Sequence, residues 1–176
     1  MPVPYRRRPE SASSQAAAFL DVRRNAGDKA FYGGLLLIDS RGQPLEFVHN
    51  RVVAPAGFLW PEAQVRSLGT AALCHTLFQA CRREPALLVC PESLGSAAYL
   101  KSEIGAMVPF AAASEAGVGE SPSWSWINDP PTVAMPANGL AQELRERGFA
   151  YEPFTRIFAG IMECYPEVEW PDTPTE

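Results

Sequence analysis

The sequence predicts an α+β fold: a single domain with a mixed β-sheet, begun by a β-hairpin over about residues 31–53, and helices packed on it. Three observations predict it. Phe31 through Ile38 is a short, nearly all-apolar run, the mark of a buried strand. Asp39-Ser40-Arg41-Gly42 then supplies turn chemistry, and Leu45–Val53 interleaves β-branched and aromatic residues with polar ones. From about Pro61 to Arg83, Val65, Leu68, Ala72, Leu73, Leu77 and Cys81 recur at helical spacing. The 176 residues suit one domain, and 47% hydrophobic with 20% charged residues excludes wholesale disorder.

Taken in order, residues 1–14 combine prolines with Arg6, Arg7 and Arg8 and read as a flexible basic arm. A short helix is expected from Gln15 to about Arg24. In the hairpin, a type I turn over Ser40-Arg41-Gly42 with a glycine bulge sets Asp39 beside Gln43. Counting outward puts Leu37 across from Leu45, Leu35 from Phe47 and Gly33 from His49, all on one face. In the long helix, Pro61 suits the first turn, and Gly69 is expected to weaken it by roughly 1 kcal/mol relative to alanine. Ala86–Cys90 is apolar throughout, hence a central strand, and Ser93 opens a short helix to about Ile104. Ala106–Phe110 reads as an edge strand because of Pro109. Residues 113–138 form a long irregular loop carrying Trp124 and Trp126. A helix over about Leu140–Arg147 and a brief strand at Phe149–Tyr151 follow. The last helix starts at Pro153, with Phe154, Ile157, Phe158, Ile161, Met162 and Tyr165 on its stripe. Residues 166–176 read as an acidic disordered tail.

The formal net charge of −5 disfavours nucleic acid as a partner of the whole surface, leaving Arg6, Arg7 and Arg8 as the route to one. No run approaches a membrane span. There is no Cys-x-x-Cys, His-x-x-x-His or His-Glu-x-x-His, so no metal site is expected. The zinc deaminase pattern, His-x-Glu with Pro-Cys-x-x-Cys, is absent too. Glycine patterns for phosphate or dinucleotide cofactors are missing, and no cofactor is expected. Four scattered cysteines, Cys74, Cys81, Cys90 and Cys164, read as reduced thiols in a cytoplasmic protein.

Two function classes remain. Alternation in Ser-Trp-Ser-Trp puts both indoles on one side of an extended segment, and tryptophan is enriched where partners dock. The sequence reading is therefore a non-enzymatic protein-interaction or adaptor module that binds a protein partner through Trp124 and Trp126. The alternative is a small enzyme or degenerate enzyme fold. In it, Cys90 ends a central strand as the nucleophile and His49 serves as its base. Geometry discriminates: an exposed Cys90 within reach of His49 favours the enzyme, a dry one the module.

Overall fold

The computed structural model describes residues 15–25, 29–54, 56, 58–95, 100–101, 108–115 and 121–170. Along the chain run β1 (Ala17–Asn25), β2 (Ala30–Ile38), β3 (Pro44–Val53), α1 (Glu62–Ala80), β4 (Leu87–Pro91) and α2 (Glu92–Gly95). They are followed by β5 (Phe110–Ser114), β6 (Ser123–Trp126), α3 (Pro136–Glu146) and α4 (Glu152–Cys164). Arg6, Arg7 and Arg8 lie outside the described residues.

The six strands form one mixed sheet in the order β3-β2-β1-β4-β5-β6. β1 pairs parallel with β4, and β4 with β5; the other pairings are antiparallel. Helix α1 covers one face, where Val65, Leu73 and Leu77 meet Leu20, Leu35 and Leu88. Helices α3 and α4 cover the other, where Leu140, Phe154, Ile157 and Ile161 meet Phe19, Tyr32 and Val89. The domain is thus an α+β fold with helices on both faces of the sheet, as two opposed apolar faces require.

The expected helix over 15–24 is instead β1, the strand between the two halves of the sheet. Helix and strand are hard to separate in a short apolar run, and burial on both faces decides here. Ala17 and Phe19 point to the α3/α4 side, Ala18 and Leu20 to the α1 side, all of them buried.

The hairpin turn forms as expected: Gly42 has φ +76°, and the Asp39 N–H donates to the Gln43 carbonyl at 3.1 Å. The register beyond it differs. Ile38 pairs with Pro44, but a bulge between Leu37 and Ile38 shifts every later pair by one residue. Leu36 lies across from Phe47, Leu35 from Val48 and Gly34 from His49. Leu35 therefore faces α1 while Phe47 faces α4. A Cβ on Gly34 would lie 2.7 Å from Ile157 Cγ2 and 3.0 Å from Phe47 Cε2, so this glycine lets α4 and the Phe47 ring approach the sheet.

Helix α1 ends at Ala80, because Cys81 turns to an extended conformation and the Glu46 carboxylate accepts the Arg82 N–H at 2.9 Å. Strand β5 starts just after Pro109 and lies inside the sheet. The edge is taken by β6, which lies within the stretch expected to be an irregular loop. Asn128 fixes this corner, accepting the Phe110 N–H at 2.8 Å and donating to the Val108 carbonyl at 3.1 Å. Phe149–Tyr151 is a turn, not a strand. The segment after α4 is docked as far as Trp170, which is 9% exposed and stacks edge-on against Tyr32 and Phe158. Only residues 171–176 of the expected tail lie outside the described residues.

Candidate functional site

The parallel strands β1, β4 and β5 direct their carboxyl ends to one side of the domain, the side where open α/β sheets bind ligands. Asp21 sits there, just past the last parallel pair of β1 and β4, Phe19 with Val89. Strand parity sends its side chain to the α4 side, along with Phe19 and Arg23. It is 5% exposed. An ionised carboxylate in such a place is costly unless paired. The Arg23 guanidinium donates to its Oδ2 at 2.9 Å and itself lies 4.0 Å over the Phe158 ring. Burial nevertheless dominates and holds the Asp21 carboxyl above the usual aspartate range, with Arg23 opposing. An acid shifted upward exchanges a proton closer to neutral pH than an exposed aspartate does.

Three further groups belong to this end. Glu92 follows β4 directly and accepts the Ser114 hydroxyl at 3.2 Å. Glu115, exposed, follows β5. The Tyr151 phenol before α4 is pushed up by burial, then by the Glu115 carboxylate and by Asp21, with Arg23 opposing. The α4 side of this end therefore carries a buried carboxyl, a guanidinium, a phenol and the Glu115 carboxylate, a set suited to holding and moving a proton. Ser114, and Glu92 with it, belongs by strand parity to the α1 side. Among the described residues no three His, Cys, Asp or Glu side chains converge as a metal site.

The residues singled out in the sequence fall elsewhere. Cys90 is fully buried on the α1 side with Leu88 and Cys74, and burial pushes its thiol far up. His49 is exposed on the α4 side of β3, its Nδ1 3.2 Å from the Tyr165 hydroxyl. Opposite faces of the sheet, with β2 and β1 between, keep Cys90 and His49 apart. No nucleophile–base pair forms between them.

Trp124 and Trp126 do share a side, but it is the core side. Trp124 is 9% exposed, donates its indole N–H to the Ala150 carbonyl at 2.7 Å and meets Phe19 edge-on. Trp126 is half-buried against the same cluster. Trp124 thus fills the core under α3 and α4, while Trp126 keeps part of its surface exposed.

Asp21 was missed in the sequence. The available signal was a single carboxylate inside the otherwise apolar run Ala16–Val22. A solvated helix face explains such a residue as well as a functional strand does, until the strand is seen to be central.

No family model matches the chain, and no curated protein matches it. Seventeen chains of known structure do. The endonuclease V from Bacillus subtilis matches with a TM-score of 0.41 and 14% identity, over 58% of this chain and 45% of that one. The endonuclease V from Streptomyces avermitilis gives 0.45 and 12%, over 68% and 58%. Argonaute from Marinitoga piezophila, in complex with a 5′-OH guide RNA, gives 0.35 and 7%, over 60% and 17%. The chain thus spans about half the length of the two endonucleases.

Proposed function

We propose that this chain is an enzyme-type domain whose working end lies at the carboxyl ends of β1, β4 and β5, with Asp21 as its acid–base group. One observation supports this above the others: a carboxyl 5% exposed, in the central strand, held above its usual range by burial at the end where such sheets bind ligands. A domain under no functional demand gains nothing from a charge there, since an apolar residue of similar size fits at lower cost. The adaptor reading loses its positive support with the burial of Trp124. A protein partner is not part of the proposal. Cytoplasmic residence is part of it and rests on the four free cysteines. Among the described residues no helix is long and apolar enough to cross a membrane.

The test is a turnover screen of the full chain and of Asp21→Asn against single-stranded DNA and RNA oligonucleotides and chromogenic esters. The oligonucleotides are included because Arg6–Arg8 suit a phosphate backbone. The expected result is turnover by the parent chain that falls by about 10²–10⁴ in the variant, the usual weight of acid–base catalysis. Turnover unaffected by Asp21→Asn removes Asp21 from the chemistry. Absence of turnover throughout, together with a carboxyl that NMR titration finds at the ordinary aspartate value, removes the enzyme reading itself.

A further inference from the structure

Strand β3 is one edge of the sheet, with no strand paired to its outer side among the described residues. Proteins commonly blunt such an edge with proline, a bulge or a short strand. Here those devices sit at one end only. Pro44 and the bulge occupy the start, and from Glu46 to Val53 the strand pairs residue by residue with β2 and contains no proline. The opposite edge, β6, is only four residues long.

An open groove of about 980 Å³ runs along this edge and under the end of α1. Its two walls differ. On the α4 side, Phe47 and His49 stack with centroids 5.9 Å apart, and both are exposed. On the α1 side stand Arg82 and Arg83, exposed and without an ion-pair partner among the described residues. The acid of the groove, Glu46, is already engaged, accepting the Arg82 backbone N–H and lying 3.9 Å from the Cys81 thiol.

We propose that this edge binds an extended acidic peptide by strand addition, its acidic side chains toward Arg82 and Arg83 and its apolar ones over Phe47 and His49. A strand edge supplies alternating N–H and C=O groups that another peptide backbone matches. The Arg51 N–H already donates to the Asn50 Oδ1 at 2.8 Å, so the docking stretch is Glu46–Asn50. An added strand shows alternate residues to the two walls, so the fitting sequence alternates acidic with apolar residues. Charge selects the occupant, since among the described residues the two guanidinium groups have no internal acid to pair. Asp21 stands two strands away in the row Asp21–Gly34–His49, but the groove opens at the outer edge of β3, and the proposal does not depend on the function assigned to Asp21.

The probes are fluorescein-labelled (Glu-Val)5 and (Lys-Val)5, titrated into the full chain and followed by anisotropy. Amide hydrogen exchange of Glu46–Val53 is measured with and without peptide. Binding of (Glu-Val)5 with slowed exchange on alternate amides of β3 is expected. The double variant R82E/R83E should weaken it about ten-fold, in keeping with two exposed ion pairs reversed. Both positions are exposed, so folding is retained, and circular dichroism checks this. Equal binding of (Lys-Val)5, binding without β3 protection, binding unchanged in R82E/R83E, or no binding at all each overturns the proposal. So does protection of β3 that depends on protein concentration alone, which makes the edge a contact between copies.

Discussion

Trp124 and Ala150 are joined across the α3/α4 side of the sheet by a hydrogen bond of 2.7 Å from the indole N–H to the backbone carbonyl. This bond ties edge strand β6 to the turn between α3 and α4, and the ring fills the space beside Phe19. Trp124→Ala should therefore destabilise the domain by about 3–5 kcal/mol, the range for large buried aromatic side chains. Trp124→Phe keeps most of the packing but leaves the Ala150 carbonyl without this donor, for a smaller loss of about 1–3 kcal/mol. Urea denaturation followed by circular dichroism measures both. A loss below about 0.5 kcal/mol for alanine returns Trp124 to the surface.

Asp21 gives a pH signature with a definite sign. Its folded-state pKa lies above the unfolded value near 3.8, so the native state binds its proton more tightly than the unfolded chain does. That contribution is fully present below the unfolded pKa and is lost as pH rises through the folded one. Asp21→Asn should thus be more stable than the parent chain at pH 7. The advantage should shrink as pH falls toward 4. Melting temperatures of the two proteins across that range test this; an advantage that grows on acidification gives the opposite sign.

Gly69, in the middle of α1, is buried against the Phe31 ring, which fills the place a Cβ would take. Gly69→Ala should then destabilise by about 1–3 kcal/mol through overpacking, despite the better helix propensity of alanine. A stabilised variant in thermal melts would show that the ring yields.

The four thiols separate by accessibility. Cys164 is exposed and Cys81 partly so, whereas burial pushes the Cys74 thiol up to about 12 and that of Cys90 higher still. A thiolate is the reactive form. With Ellman's reagent at pH 8, Cys164 should react first and Cys81 next, with Cys74 and Cys90 appearing only on unfolding. Labelling of Cys90 in the native chain, read by peptide mass, would restore it as a candidate nucleophile.

Helix α4 was legible in the sequence because one stripe carries Phe154, Ile157 and Ile161 to the core while Glu152, Thr155 and Glu163 are exposed. The hairpin turn was legible for a similar reason, since Asp39 and Gly42 have local roles that need no partner. What escaped depends on distant contacts. The bulge beyond Ile38 moves the register by one residue, and a one-residue slip exchanges the faces of every side chain. Strand β1 is a strand because β2 and β4 flank it. Trp124 is core because α3, α4 and the Ala150 turn close over it. Asp21 shares that dependence: its importance comes from the strand that carries it.

The helix that covers the second face of the sheet comes late in the chain, and this shapes how the protein is made. β1, β2 and β3 are neighbours in sequence and can pair as soon as they leave the ribosome, because local contacts form quickly. Their α1 face gains its cover soon afterwards. The other face, with Phe19, Tyr32 and Leu36, waits for Phe154, Ile157 and Ile161, and finally for Trp170. From the end of α1 until α4 emerges, the nascent chain thus carries one covered apolar face and one bare. A bare sheet face is sticky, so chains stalled before α4 should be chaperone clients or aggregate, while released full-length chains fold.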